Sequence, residues 1–188
     1  MTVLNLQVAA SADDAMEMWA GSPTLTDATI ALSGADDFWG FRFLNVTIPQ
    51  GATINTAVLS VYNFSSGDVT MRGIIYANDV DDAAVFTTTG GNIEGRALTT
   101  ANVVWSATFA FQNWNNSPGI ASVIQEIVDR GGWASGNALV ILVKSTTGAD
   151  AAIRTYDNLA TRGAKLDIDY TAGSAPAVPI LRRRIENY

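Results

Sequence analysis

The 188 residues are 48% apolar and 15% charged with a net charge of −7, a composition that suits one well-packed domain and not a disordered chain. There is no cysteine and no histidine, which removes disulfides, thiolate chemistry, cysteine zinc sites, the Ser-His-Asp triad and most zinc or iron centres. Residues 1–173 hold 8 Lys/Arg against 17 Asp/Glu, a balance of −9 that argues against nucleic acid as a partner, and no apolar run approaches the ~20 residues of a membrane span.

The N-terminus has neither a basic stretch nor a long apolar core, so no secretory signal is expected as written. Thr2–Val8 puts Leu4, Leu6 and Val8 on one face and reads as the first strand. Asp13, Asp14 and Glu17 follow, and Thr24–Leu32 alternates loosely toward another strand. The chain is organised around Phe38–Tyr62, where two β-type stretches, Phe38–Ile48 and Thr53–Tyr62, flank the turn residues Pro49-Gln50-Gly51. Phe41 and Phe43 are odd-numbered, whereas Val46 and Ile48 are even. That change of parity implies a bulge or burial on both sides, and the stretch reads as a hairpin whose first strand changes layers. Val69, Met71, Gly73 and Ile75 line one face of a strand that runs to Ala77. Thr87–Asn102 reads as a long connection, ahead of a short strand piece at Val103–Trp105. Phe109–Trp114 is too aromatic for a bare loop and is expected to cover one end of the core.

Ser117–Arg130 reads as the helix, capped by Ser117 with Pro118 at its first position and stopped by Gly131 in the left-handed region. Ile120, Val123, Ile124, Ile127 and Val128 form its apolar face, and Gln125, Glu126, Asp129 and Arg130 face outward. Ala138–Val143 is apolar on both faces, which predicts a central strand covered by a second sheet on one side and by the helix on the other. Ala151–Tyr156 and Lys165–Tyr170 complete the strands, the last with one wet face. About nine or ten strands at this spacing predict an all-β fold. The expected architecture is a jelly-roll-like antiparallel β-sandwich over residues 1–171 with one amphipathic helix. Residues 172–188 follow as linker and extended C-terminal arm.

Three stretches carry a resemblance: FRFLNVTIPQGATI at 41–54, RALTTANVVW at 96–105 and IASVIQEIVDRGGWASGNAL at 120–139. They resemble a family of bacterial and phage β-sandwich modules found in large surface proteins, beside carbohydrate-active modules and as stand-alone phage virion proteins. The resemblance implies a sandwich fold and supplies a phage context.

The arm combines Ile180, Leu181, Ile185 and Tyr188 with Arg182, Arg183 and Arg184, an apolar-basic pattern suited to docking on an acidic partner. The expected function is a non-enzymatic virion structural protein, made in the host cytoplasm. It would be a capsid decoration protein, or a head-fibre or tail component, attached through this arm. Its partners would be the major capsid protein, other head or tail components, and copies of itself; no nucleic acid and no membrane are expected. The rival expectation is a carbohydrate-binding module or adhesin at a bacterial cell surface, gripping glycan with Trp114 beside Asn113 and Asn115. Trp105 and Trp133 read as structural. Asp13, Asp14 and Glu17 are the candidates for a structural calcium, since that ion needs several hard oxygens together; no other cofactor is expected. No pair of acids stands out for hydrolysis, and Ser122 and Ser135 have no base nearby, so no catalytic residue is assigned.

Overall fold

The computed structural model describes residues 1–64, 66–146 and 150–173. In chain order its strands are β1 (Thr2–Gln7), β2 (Asp14–Glu17), β3 (Thr29–Leu32), β4 (Phe38–Phe43), β5 (Thr53–Tyr62) and β6 (Val69–Ala77). Then come β7 (Val103–Phe109), β8 (Trp114–Asn116), the helix α1 (Ala121–Val128), β9 (Leu139–Ser145), β10 (Ala151–Arg154) and β11 (Lys165–Thr171). One sheet has the order β1-β11-β5-β8 and a second β2-β4-β9-β6-β7, while β10 pairs with β3 in a ribbon. All of these pairings are antiparallel.

Alternation along the strands builds the layers. In β11, Leu166, Ile168 and Tyr170 are buried and Asp167 is exposed. These residues share one core with Ala57, Leu59 and Val61 of β5 and with Trp39, Phe41, Phe43, Leu139, Ile141 and Val143 from the opposite sheet. The fold of the described residues is an all-β sandwich with one α-helix. Among the described residues no helix is long and apolar enough to cross a membrane.

The two stretches around Pro49-Gln50-Gly51 are not a hairpin: β4 and β5 lie in different sheets. The chain does change layers, and the parity break sits at Asn45, whose φ of 52° is left-handed, a region asparagine enters more readily than most residues. That one residue lets Phe43, Val46 and Ile48 all reach the core. The crossing backbone is satisfied, for Val46 N–H donates to the Asn137 carbonyl and Trp133 Nε1 donates to that of Ile48.

The helix is shorter than its pattern. It starts after Ile120 with no side-chain cap, and its C-terminal cap is Asp129. Ser117 instead accepts the Leu59 N–H and donates to the Pro118 carbonyl, tying the chain to β5 before the helix begins. Gly131 is not left-handed. The apolar face is buried as its spacing requires, but Gln125 and Glu126 do more than face water. Gln125 bonds the Ile54 N–H and the Ala52 carbonyl, and the Glu126 carboxylate accepts from Thr100 and Ala101 N–H.

β9 is the central strand of its sheet, apolar on both faces as predicted. Its second cover is not α1, which packs on β5 and into the main core. Val140 and Leu142 join Ala15 and Phe38 beneath Ala83, Phe86 and Ile93, which come from residues 78–102 between β6 and β7, a segment that begins before the expected connection Thr87–Asn102. This segment is a lid over the outer faces of β2, β4 and β9 at those residues. Gly40 makes room for it, since a Cβ there would lie 2.5 Å from Phe86 Cζ. Other boundaries move modestly: β3 covers only the end of Thr24–Leu32, β7 continues to Phe109, and β10 stops at Arg154. Phe109 is buried while Phe111 is exposed, so the aromatic run seals the core only at its first residue.

Candidate functional site

Asp13, Asp14 and Glu17 fall into three environments. A 3-10 turn over Ser11–Asp13 leads into β2, where Asp14 stands opposite Phe41 on the core side and Glu17 opposite Phe38 beneath the lid. Asp13 Oδ1 lies 2.9 Å from Arg42 Nη1, and Arg42 Nε donates to the Ala83 carbonyl. Glu17 is fully buried, its carboxylate accepting from the N–H groups of Gly91, Ile93 and Glu94. It is the anchor of the lid. Asp14 Oδ2 accepts from Tyr156 N–H at 2.7 Å, while its buried Oδ1 has no partner. Burial pushes the Asp14 carboxyl up to about 7; the Tyr156 bond opposes this, and repulsion from Asp157 and Asp13 adds to it.

The structure does not bring these three acids together. Asp14 and Glu17 point to opposite sides of one strand, and among the described residues no group of three acids could hold a metal ion. The other acidic loops are occupied in the same way. Asp37 accepts from Trp19, Ser33 and Gly34 N–H, Asp36 pairs with Lys144, Asp79 and Asp81 pair with Arg130, and Asp82 accepts from Ala138 N–H.

Of the five tryptophans, Trp39, Trp105 and Trp133 are buried. Trp114 is half-buried in β8, opposite Tyr62 on the outer face of the four-stranded sheet. The two rings meet edge to face with centroids 5.6 Å apart. Lys165 Nζ stands 4.0 Å from the Trp114 ring centre, the Arg162 guanidinium 4.6 Å from that of Tyr62, and the Arg154 guanidinium 3.0 Å from that of Phe64. Burial lowers the affinity of Arg154 for its proton, and the Arg162 cation beside it acts in the same direction. Among the described residues the ion pairs involve Arg42, Arg130 and Lys144 only. The three stacked cations therefore have no carboxylate partner among the described residues.

Asn113 and Asn115, expected beside Trp114 as sugar ligands, serve the backbone. Asn113 Oδ1 accepts from Trp114 N–H, and the Asn115 amide bonds the main chain of Ala110 and Asn113. Tyr62, Arg154, Arg162 and Lys165 were not anticipated as its neighbours. Alternation did mark Lys165 as outward-facing; only the pairings of β5 with β8 and β11 place it and Tyr62 around Trp114. Beyond Lys165 the same face holds a depression of about 370 Å³ lined by Asn5, Leu6, Gln7, Lys165 and Asp167.

The most exposed tryptophan is Trp19, 66% exposed beside Met18 at 55%. The loop that carries them is held firmly. Trp19 N–H donates to Asp37, Ala20 N–H donates to Glu94, and Ala20 is left-handed with a φ of 56°. Large apolar side chains fixed in water are typical of protein contacts, where tryptophan is enriched among the residues that matter most. The expected anchoring residues Ile180, Leu181, Arg182, Arg183, Arg184, Ile185 and Tyr188 lie outside the described residues.

No protein-family model matches the chain, and no curated protein matches it.

Proposed function

We propose that the chain is a non-enzymatic structural part of a bacteriophage particle, a capsid decoration protein or a head-fibre or tail component. The observation that carries this reading is how the polar side chains are used. Asp13, Glu17, Asp37, Asp82, Gln125 and Glu126 all brace backbone or partner charges within the body. A fold that commits its acids to rigidity, and shows Met18 and Trp19 on a braced loop, is suited to standing in an assembly. The sequence resemblance to phage β-sandwich modules supports the same reading. Attachment runs through the apolar-basic segment Ile180–Tyr188, whose charge complements an acidic neighbour. The neighbours are the major capsid protein, other head or tail components, and further copies of the chain. The protein is made in the host cytoplasm and resides in the virion.

Deleting residues 180–188 tests this. The truncated body is expected to keep its melting temperature but no longer to co-sediment with particles made by the encoding genome. Normal incorporation of the truncated chain would end the arm hypothesis.

A second reading is favoured by one observation, the half-exposed Trp114 on a wet sheet face. It is a carbohydrate-binding module or adhesin of a bacterial surface protein, and a glycan array with Trp114→Ala as control distinguishes it from the first.

A further inference from the structure

We propose that the outer face of the four-stranded sheet, from the Tyr62–Trp114 pair to the depression beside Lys165, binds an acidic oligosaccharide whose sugars carry carboxylates. The inference rests on the sugar-binding reading and adds the chemical class of the ligand.

Charge is the first argument. The body is strongly acidic, yet Arg154, Arg162 and Lys165 gather on one ridge without a carboxylate partner among the described residues. Arg154 and Arg162 are close enough to repel, and Arg154 Nε is buried without an acceptor. Cations held together at such a cost are relieved by a ligand that brings negative charge. The rings of Phe64, Tyr62 and Trp114 fix where each cation stands, because a cation over an aromatic face is attracted to the negative side of its quadrupole. Positions fixed before binding lower the ordering cost when an anion arrives.

The surroundings select a sugar over other anions. Lys165 belongs both to the stack on Trp114 and to the adjoining depression, whose other groups are the amides of Asn5 and Gln7, the Asp167 carboxylate and one leucine. Amides and a carboxylate suit hydroxyl groups, and the depression has a volume within the ~300–1,000 Å³ range of small-ligand sites. An acidic peptide would need apolar pockets for its side chains, and Leu6 alone does not make one. A long polyanion such as single-stranded nucleic acid would stack well on these rings, but most of its length would run over the acidic remainder of the body. A short uronate oligosaccharide places its charges only where the cations are.

Calorimetry on the folded protein tests the assignment, with oligogalacturonate as acidic probe and a neutral cello-oligosaccharide and oligo-dT for comparison. Oligogalacturonate is expected to bind, and to bind less well in about 0.5 M salt, where exposed charges are screened. Lys165→Gln combined with Arg162→Gln should weaken it roughly tenfold or more, with the melting temperature unchanged, while Lys165→Arg retains binding. Equal binding of the neutral probe, unaffected by these changes, would overturn the acidic assignment and leave the sugar-binding reading standing. Binding of no sugar would sink both. Oligo-dT binding that disappears in the same variant would make the strip a nucleic-acid site and end the proposal.

Discussion

Asp14 should make the fold less stable as pH rises, and replacing it with asparagine should remove the effect. The carboxyl is 1% exposed, receives one hydrogen bond from Tyr156 N–H and has one oxygen without a partner, with Asp13 and Asp157 as its charged neighbours. Burial raises it from 3.8 to about 7. A raised acid binds its proton more tightly in the folded state than in the unfolded chain. Between these two values the native protein therefore holds more protons, and stability falls as pH increases. Below pH ~4 both states are protonated and the contribution is complete; above pH ~7 it has been lost. Three units at 1.36 kcal/mol each give a loss of about 4 kcal/mol. For a domain of this length, 1 kcal/mol moves the melting temperature by roughly 2–4 °C, so the change should approach about 10 °C. The assay is scanning calorimetry of wild type and Asp14→Asn from pH 4 to 8. Asparagine can still accept from Tyr156 N–H and cannot ionise. The two proteins should melt together near pH 4, with the variant about 10 °C higher at pH 8. Parallel curves, or a variant that melts lower at pH 8, would refute the reasoning, since the other acids titrate equally in both.

Glu17→Gln should cost about 3 kcal/mol in denaturant unfolding, because three lid N–H groups lose a charged acceptor inside the protein; a loss under about 1 kcal/mol would show that the lid is held elsewhere. Gly40→Ala should cost about 1–3 kcal/mol by overpacking against Phe86. Adding Phe86→Leu should recover part of that loss, whereas simple additivity of the two changes would mean that they do not meet. Trp19→Ala should leave the unfolding free energy within about 0.5 kcal/mol, as exposed positions usually do, and should reduce incorporation into particles. Unchanged incorporation would remove the Met18–Trp19 loop from the contact surface.

The sequence revealed which side chains are buried far better than what buries them. Leu166, Ile168 and Tyr170 alternate with polar neighbours, and the spacing from Ile120 to Val128 is helical, so the buried faces of β11 and α1 follow from local pattern. Val140 and Leu142 were legible as covered, but not by what. Ala83, Phe86 and Ile93 are scattered through a segment with no period, and it is the hydrogen bonds of Glu17 that make this segment a lid. Local chemistry also misled where one residue had competing partners. Ser117 has the hydroxyl of a helix cap, yet it is used against β5. Asn113 and Asn115 have the amides of sugar ligands, yet they fold their own turn.

The acids next to β1 contain the most instructive case. Asp14 and Glu17 are three residues apart, a spacing that permits convergence in a helix or an irregular loop. In a strand side chains alternate, and an odd separation sends them to opposite faces. Once Asp14–Glu17 pairs with Phe38–Phe41, the two carboxylates must serve different layers. One is then buried on the core side, where ionisation is costly, and the other is turned outward to receive the N–H groups of the lid. The same reasoning applies in reverse on the opposite sheet. Ser60 and Tyr62 share parity in β5, so one register places Asn116 and Trp114 beside them, with Lys165 across from Ser60 on β11. What a single strand's pattern could not show was the neighbour in the next strand. Long-range pairing supplies it, and at Trp114 that pairing turns an isolated aromatic into one member of a cation-bearing surface.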